Sequence, residues 1–564
     1  MFNFFFNKSL LFMLFFLCIS LFLLLIVFFP IFNSETLSLS IFSKNIFINK
    51  MIFKKIKFLY LLSFIPSNLI CSYLALPIFF NSKKNNQIYN KTKKDSTLQL
   101  ELSSKNSSIP IIIPELGLYQ NILVTGTIGT GKTSSAMYPF TKQLIKYESN
   151  NYEKKIGMLI LDVKGNYFYK VDEYVNLFNR KKDLIVIGLD SDIRYNPLDK
   201  PLLKASVLAN RLKTILTLFS PNNSESYWLD KVEQVLTESI KLCRLYNDNY
   251  VTFTEIHKLI TIPSYYQEKI NLLRKKFISG SFSLEEVHNL SSSIEFFEKE
   301  FNSLDERTSA ILKSEITRIT GCFISDYNIQ KIFCPKKNEL NFHGFYDVVN
   351  KGKIVVLNMN ISEYRNLSKI MAAYLKLDFQ TEVMKRIAVK SPNIRSVAFI
   401  SDEYHEYVTD TDSYFFAQSR EAKCINIVAT QSYTSLLNSL NNQYSVKVIV
   451  QNLINKLWFR TDDLFTVEDA QKQIGKEEKQ KISFGFSENS NDSSSNSLLS
   501  ALYSHKTSSS ESVNKYTQSD YIYDTNFFTR ELKTFSCVAF LSDGNKIMIP
   551  QKIDLIPYFI LDKN

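Results

Sequence analysis

The sequence predicts an α/β fold: a mostly parallel sheet that holds its ligand at the carboxyl ends of the strands, with an inserted helical lobe and an apolar anchor in front. Three observations predict it. An apolar strand runs into G-x-x-x-x-G-K-T at residues 126–133. Short apolar runs at 157–161, 184–187, 354–357, 397–401, 425–429 and 457–459 are separated in several places by helical stretches. From about residue 227 to 322 the apolar residues fall at helical spacing instead. With 564 residues the chain exceeds one ordinary domain and has ample length for a buried core.

The first element is the stretch 10–29, almost unbroken Leu, Phe, Ile, Val and Met, which is long enough for a helix to cross roughly 30 Å of hydrocarbon. A cleaved secretory signal would carry a shorter apolar core of about 7–15 residues and a small-residue cleavage site, and neither is present. The stretch 58–80 contains Pro66, Ser67, Asn68 and Pro77 and reads as a second, kinked span. Residues 1–84 are therefore expected to form a transmembrane anchor in the inner membrane, with both the N-terminus and the C-terminal bulk in the cytoplasm. Lys44, Lys50, Lys54, Lys55 and Lys57 in the connecting loop run against that orientation, because lysine-rich loops favour the inner side.

The net charge of +12 suits an anionic partner, either nucleic acid or an acidic lipid surface, and membrane anchoring explains the N-terminal lysine clusters equally well. Seven scattered cysteines, with no C-x-x-C pair, read as reduced thiols and argue against a disulfide scaffold. Residues 85–108 read as a polar linker.

The next segment, 109–226, opens the nucleotide-binding part. In Gly126, Thr127, Ile128, Gly129, Thr130, Gly131, Lys132 and Thr133 the glycines let the loop curl so that backbone N–H groups point at phosphate oxygens, and the following helix adds the positive end of its dipole. Lys132 is expected to reach the β- and γ-phosphates of ATP, and the Thr133 hydroxyl to ligate Mg²⁺. Such a loop needs a carboxylate at the end of another strand, and the run 397–401 ends in Asp402 and Glu403. Asp402 is read as holding Mg²⁺ and Glu403 as orienting and activating the attacking water. Other strand ends carry Asp162, Lys164 and Gly165, and Thr430, Gln431 and Ser432. Gln431 reads either as a contact to the γ-phosphate or water or as a cap of the next helix.

Two N-terminal apolar segments, the 126–133 loop, the Leu-Asp-Val-Lys-Gly run at 161–165, Asn196-Pro-Leu, a helical insert, Asp402-Glu403-Tyr404 and the Ala-Thr-Gln-Ser run at 429–432 follow one another along the chain. In this the sequence resembles the type IV secretion coupling proteins of the TraG/TraD type, relatives of the FtsK and HerA hexameric translocases. The resemblance implies a RecA-like P-loop ATPase core with an all-α lobe between its two acidic and phosphate-binding motifs. It also implies homo-hexamers that use ATP to deliver DNA, here expected to be single-stranded nucleoprotein, to a secretion channel. Protein cargo for the same kind of channel, or FtsK-like DNA translocation, are the alternatives. Asn166 stands where the family commonly has Glu, and Arg420 lies near where a trans-acting arginine is sought.

The lobe is expected over 227–330, with Trp228, Val232, Val235, Leu236 and Ile240 as its apolar stripe and Arg274, Lys275 and Lys276 as a small basic run. The second part of the nucleotide-binding domain follows at 331–482. Residues 483–519 are rich in Ser and Asn and are expected to be a mobile loop. In the closing segment, 520–564, the runs 537–541 and 546–549 around Asp543 and Gly544 predict a β-hairpin.

Overall fold

The computed structural model describes residues 38–41, 44–47, 55, 58, 97–105, 109–162, 164–218, 226–280, 282–388, 394–489 and 508–562; for 38–47, 226, 482–489 and 508–516 it describes backbone alone. The chain divides into two compact units, Met1–Thr97 and Leu98–Asn564. Within the first, β1 (Ser38–Ile41) pairs antiparallel with β2 (Lys44–Phe47). The expected spans 10–29 and 58–80, Phe58 aside, lie outside the described residues.

Among the described residues no helix is long and apolar enough to cross a membrane. The expectation of a multi-pass inner-membrane protein is corrected on that finding. The helical stretch Ile361–Lys385, kinked at Arg365 (φ 40, ψ −118), carries Glu363, Arg365, Lys369, Lys376, Asp378, Glu382 and Lys385, too many charges for hydrocarbon.

The second unit begins inside the expected linker. Leu98, Leu100 and Leu102 alternate with polar residues and are buried, so that β3 (Gln99–Leu102) pairs with β4 (Ile111–Pro114). The main sheet is built from β5 (Ile122–Thr125), β6 (Gly157–Leu161), β7 (Leu184–Ile187), β8 (Ile354–Leu357), β9 (Val397–Ser401), β10 (Cys424–Thr430) and β11 (Asn455–Phe459). These are all parallel. After the ribbon strands β12 (Lys476–Asn489) and β13 (Ser508–Tyr521), β14 (Ser536–Phe540) joins antiparallel to β11, and β15 (Gln551–Asp554) antiparallel to β14. The order across the nine strands is β15-β14-β11-β5-β10-β9-β6-β8-β7.

The central strands are Val/Ile/Leu runs because both of their faces are covered. Leu123, Leu159, Leu161, Phe399 and Val428 pack into one core, and Ile122, Val124, Ile160, Ile400 and Ala429 into the other, as the two-residue period of a strand requires. Gly157 opens β6 where the helix Tyr346–Lys351 crosses closely: a Cβ there would sit 1.9 Å from the Val348 carbonyl oxygen. Gly157→Ala is expected to destabilise the unit by about 3 kcal/mol, read as a lower urea midpoint with nucleotide binding retained in the folded fraction.

Between β7 and β8 the chain is helical. Ala205–Thr217, Ser226–Tyr246, Phe253–Thr261, Pro263–Ile278, Leu284–Glu295, Glu306–Ile324 and Tyr327–Phe333 follow in succession. Thr252, Ser283, Asp305 and Asp326 cap four of them through their side chains. Val232, Val235, Leu236 and Ile240 form the predicted stripe, and their core runs without a break into the sheet core.

Two tail expectations differ from what is seen. The described parts of 483–519 lie in β12 and β13, paired from Lys476↔Tyr521 to Asn489↔Ser508. Serine-rich composition limits burial, whereas backbone ladder bonds ask for none. The hairpin partner of β14 is not 546–549 but β15, beyond Pro550. Asp543 Oδ1 accepts the Asn545 and Lys546 N–H groups and so builds a local turn, and only the Ser542↔Ile547 bridge forms around it. Cys243, Cys322, Cys334, Cys424 and Cys537 are free thiols, as expected.

Candidate active site

Strands β11, β5, β10, β9 and β6 are neighbours, so their carboxyl ends gather residues that are hundreds of positions apart. β5 ends in the Gly126–Lys132 loop, which leads through one π turn, Thr133–Met137, into the helix Tyr138–Lys146. The loop is tied to the adjacent strand ends: the Gly126 N–H donates to Gln431 O (3.2 Å), and the Thr127 N–H to Arg460 O (2.9 Å). Gly131 has φ +92, and a Cβ there would lie 2.3 Å from the Phe535 ring, so no other residue fits. At Gly129 a Cβ would meet nothing within 4 Å, which marks the open side of the loop.

Lys132 is buried and folds over its own loop, donating to Gly126 O (2.5 Å) and Thr127 O (3.2 Å). Burial lowers its pKa against the attraction of Glu403 and Asp402. The Thr133 hydroxyl donates to Asp402 Oδ2 at 2.9 Å. These two hard oxygen donors fit Mg²⁺, which is held through one or two carboxylates together with substrate phosphates rather than in an all-protein cage.

Burial pushes the Asp402 carboxyl up to about 6, with repulsion from Asp162 and Glu403 adding to it. A raised carboxyl pKa means that the folded chain binds more protons than the unfolded chain between the usual value and about 6, so this group's contribution to stability falls as pH rises through that window. Metal ligation needs the ionised form. Mg²⁺-dependent nucleotide affinity is therefore expected to rise with pH through about 6 and then level off, a step that Asp402→Asn removes in a fluorescent-nucleotide titration.

Glu403 has φ +50 and ψ +47, a left-handed conformation that is unusual for a side-chain-bearing residue and concentrated at functional sites. Its Oε1 accepts from Lys164 Nζ (2.8 Å) and its Oε2 from Gln431 Nε2 (3.3 Å). Burial works to raise its pKa, and the bonded Lys164 ammonium, with Lys132 further off, overrides this and holds the carboxyl below its usual range. Asp162 organises the Lys164 loop by accepting the N–H groups of Lys164, Asn166 and Tyr167. Asn166 is exposed and contributes no side-chain cap to the helix it precedes.

The structure thus brings together Gly126, Thr127, Ile128, Gly129, Thr130, Gly131, Lys132, Thr133, Asp402, Glu403 and Gln431. Gln431 binds Glu403, and the cap of the helix Tyr433–Leu440 is Ser432, so the reading of Gln431 as that cap is corrected. Arg420 is not brought in. It is exposed and precedes the amino end of β10, a seven-residue strand whose opposite end meets the site, about 20 Å along. Residues that were missed are Phe535 behind Gly131, Arg460 behind Thr127, and His405, whose Nδ1 lies 3.2 Å from Thr430 Oγ1. His405 lies two residues after the acidic pair and was legible; Phe535, some four hundred residues from Gly131, was not.

No protein-family model and no curated protein matches the sequence. Solved structures do match. The plasmid coupling protein TrwB in complex with the non-hydrolysable GTP analogue GDPNP superposes with a TM-score of 0.53 at 12% identity, covering 82% of this chain and 91% of that one. The chain has the fold of TrwB. The unbound form of bacterial conjugative coupling protein TrwBΔN70 gives 0.52 at 12% identity over 82% and 90% of the two chains, and TrwB with ADP and Mg²⁺ gives 0.51 at 12% over 82% and 90%. The likeness bears out the mixed α/β architecture with its large, mostly parallel sheet and many helices.

Proposed function

We propose that this chain is an ATP-hydrolysing coupling protein that moves DNA toward a type IV secretion channel and works as a ring of identical subunits. One observation carries the reading: Lys132, Thr133, Asp402, Glu403 and Gln431 converge at the carboxyl ends of adjacent strands on a fold shared with a coupling protein that binds ADP and Mg²⁺. On nucleotide entry Lys132 exchanges two loop carbonyls for phosphate oxygens, and the Thr133 hydroxyl and the Asp402 carboxylate would be the groups that hold Mg²⁺. Mg²⁺, when bound, neutralises charge developing on the phosphates. Glu403, already ionised, releases Lys164 or Gln431 to accept the hydrogen of the attacking water.

The test is ATP turnover by the full chain with and without single- and double-stranded DNA at several salt concentrations. Stimulation by DNA that weakens steeply with salt is the expected result, because the contacts are to phosphate. Turnover indifferent to every DNA form favours protein cargo instead. A specific observation speaks for that second reading: the helical lobe carries a groove of about 640 Å³ lined both by apolar residues, among them Phe277, Ile278 and Ile294, and by charged ones, among them Arg274, Glu298 and Lys299, with Ile278 85% exposed. Ile278→Asp would then abolish cargo binding and leave basal turnover unchanged.

A further inference from the structure

The left-handed turn at Glu403 is flanked by buried hydrogen bonds from residues outside the phosphate loop. Tyr407 folds back under the turn, where its hydroxyl donates to Asp402 O (2.7 Å), the carbonyl of the peptide leading into Glu403, and accepts from Ser401 Oγ (3.1 Å). From the helix Ile361–Lys385, Lys376 Nζ grips the far end of the same turn by donating to Tyr407 O (2.8 Å), Thr409 Oγ1 (2.9 Å) and Asp412 Oδ2 (2.5 Å). The hydroxyl of Tyr404, the residue after Glu403, donates to that same Asp412 oxygen. Gln380 Nε2 (2.8 Å), the Thr409 N–H (3.0 Å) and the Thr409 hydroxyl (3.2 Å) also donate to the carboxylate.

Lys376 and Asp412 are both 0% exposed. Dehydrating two charges costs several kcal/mol for each, and a well-packed apolar pair of similar volume is often as stable or more so. Stability alone therefore gives no reason for an ion pair here, whereas fixed geometry does. We propose that Lys376, Asp412, Tyr404 and Tyr407 form a clamp of positioning residues that holds the Asp402–Glu403 peptide in the conformation from which the Glu403 carboxylate reaches the attacking water. The inference rests on the ATPase reading of the site.

The test measures three things on the full chain: ATP kinetics, fluorescent-ADP affinity, and hydrogen exchange of the 402–407 amides. It uses Tyr407→Phe, Lys376→Met, and the double variant Lys376→Met/Asp412→Leu, which leaves no lone buried charge. Tyr407→Phe removes a single hydroxyl and is expected to fold. Faster exchange at 402–407 and a kcat lower on the order of 10²-fold are expected, with KM and ADP affinity within about twofold of wild type. The double variant should regain thermal stability lost in Lys376→Met without regaining kcat. Recovery of kcat together with stability, or exchange in Tyr407→Phe that matches wild type, overturns the clamp. A wild-type chain that hydrolyses no ATP overturns the ATPase reading instead, while the exchange measurement still decides whether these groups hold the turn.

Discussion

Replacing Glu403 with Gln is expected to lower ATP turnover roughly 10²- to 10⁴-fold, the range for loss of a positioned proton acceptor. Nucleotide affinity should stay within about twofold of wild type. The amide keeps the shape of the side chain, and its oxygen still accepts from Lys164, so the turn and the loop are preserved. What disappears is the negative charge that Lys164 and Lys132 hold ionised. Lys164 is half exposed and loses little by parting from its carboxylate, since solvent screens it. Phosphate release measured beside a fluorescent-nucleotide titration separates the two effects. Turnover within tenfold of wild type would remove Glu403 from this role.

Lys132→Ala acts on binding as well as on chemistry. A charge-assisted bond to phosphate contributes about 1.5–3 kcal/mol, so affinity for ATP should fall on the order of 10- to 100-fold and turnover should drop below detection. The loop itself loosens too, because Lys132 supplies the donor for Gly126 O and Thr127 O, and truncation leaves those carbonyls without it. Glu403 loses one of the two ammonium groups that depress its pKa, so its titration shifts upward in the variant. ATP affinity equal to wild type would exclude the proposed role of the loop.

The apolar runs gave β6, β7 and β8 to the residue, and placed β10 and β11 to within one or two residues of their ends. β6, β8, β10 and β11 were legible because both faces are buried, and half-buried β7, at the sheet edge, because its four residues are all apolar; either way the run is predominantly apolar. β3 and β15 were not read, since a half-exposed edge strand such as Gln99–Leu102 carries only every second residue as signal. The β12 and β13 ribbon was misread for the complementary reason: its order comes from the partner strand, and composition records only what can be buried.

The same division applies to the site. By itself the sequence determined the phosphate loop and the Asp402-Glu403 pair, because backbone curvature, a metal-binding hydroxyl and a carboxylate at a strand end demand particular residue types at fixed local spacing. Only the tertiary structure decided that Lys164 and Gln431 share Glu403, that Arg420 lies at the opposite end of β10, and that Phe535 backs Gly131. Sheet order sets those neighbours, and sheet order arises from packing among residues far apart in the chain, which no local pattern encodes.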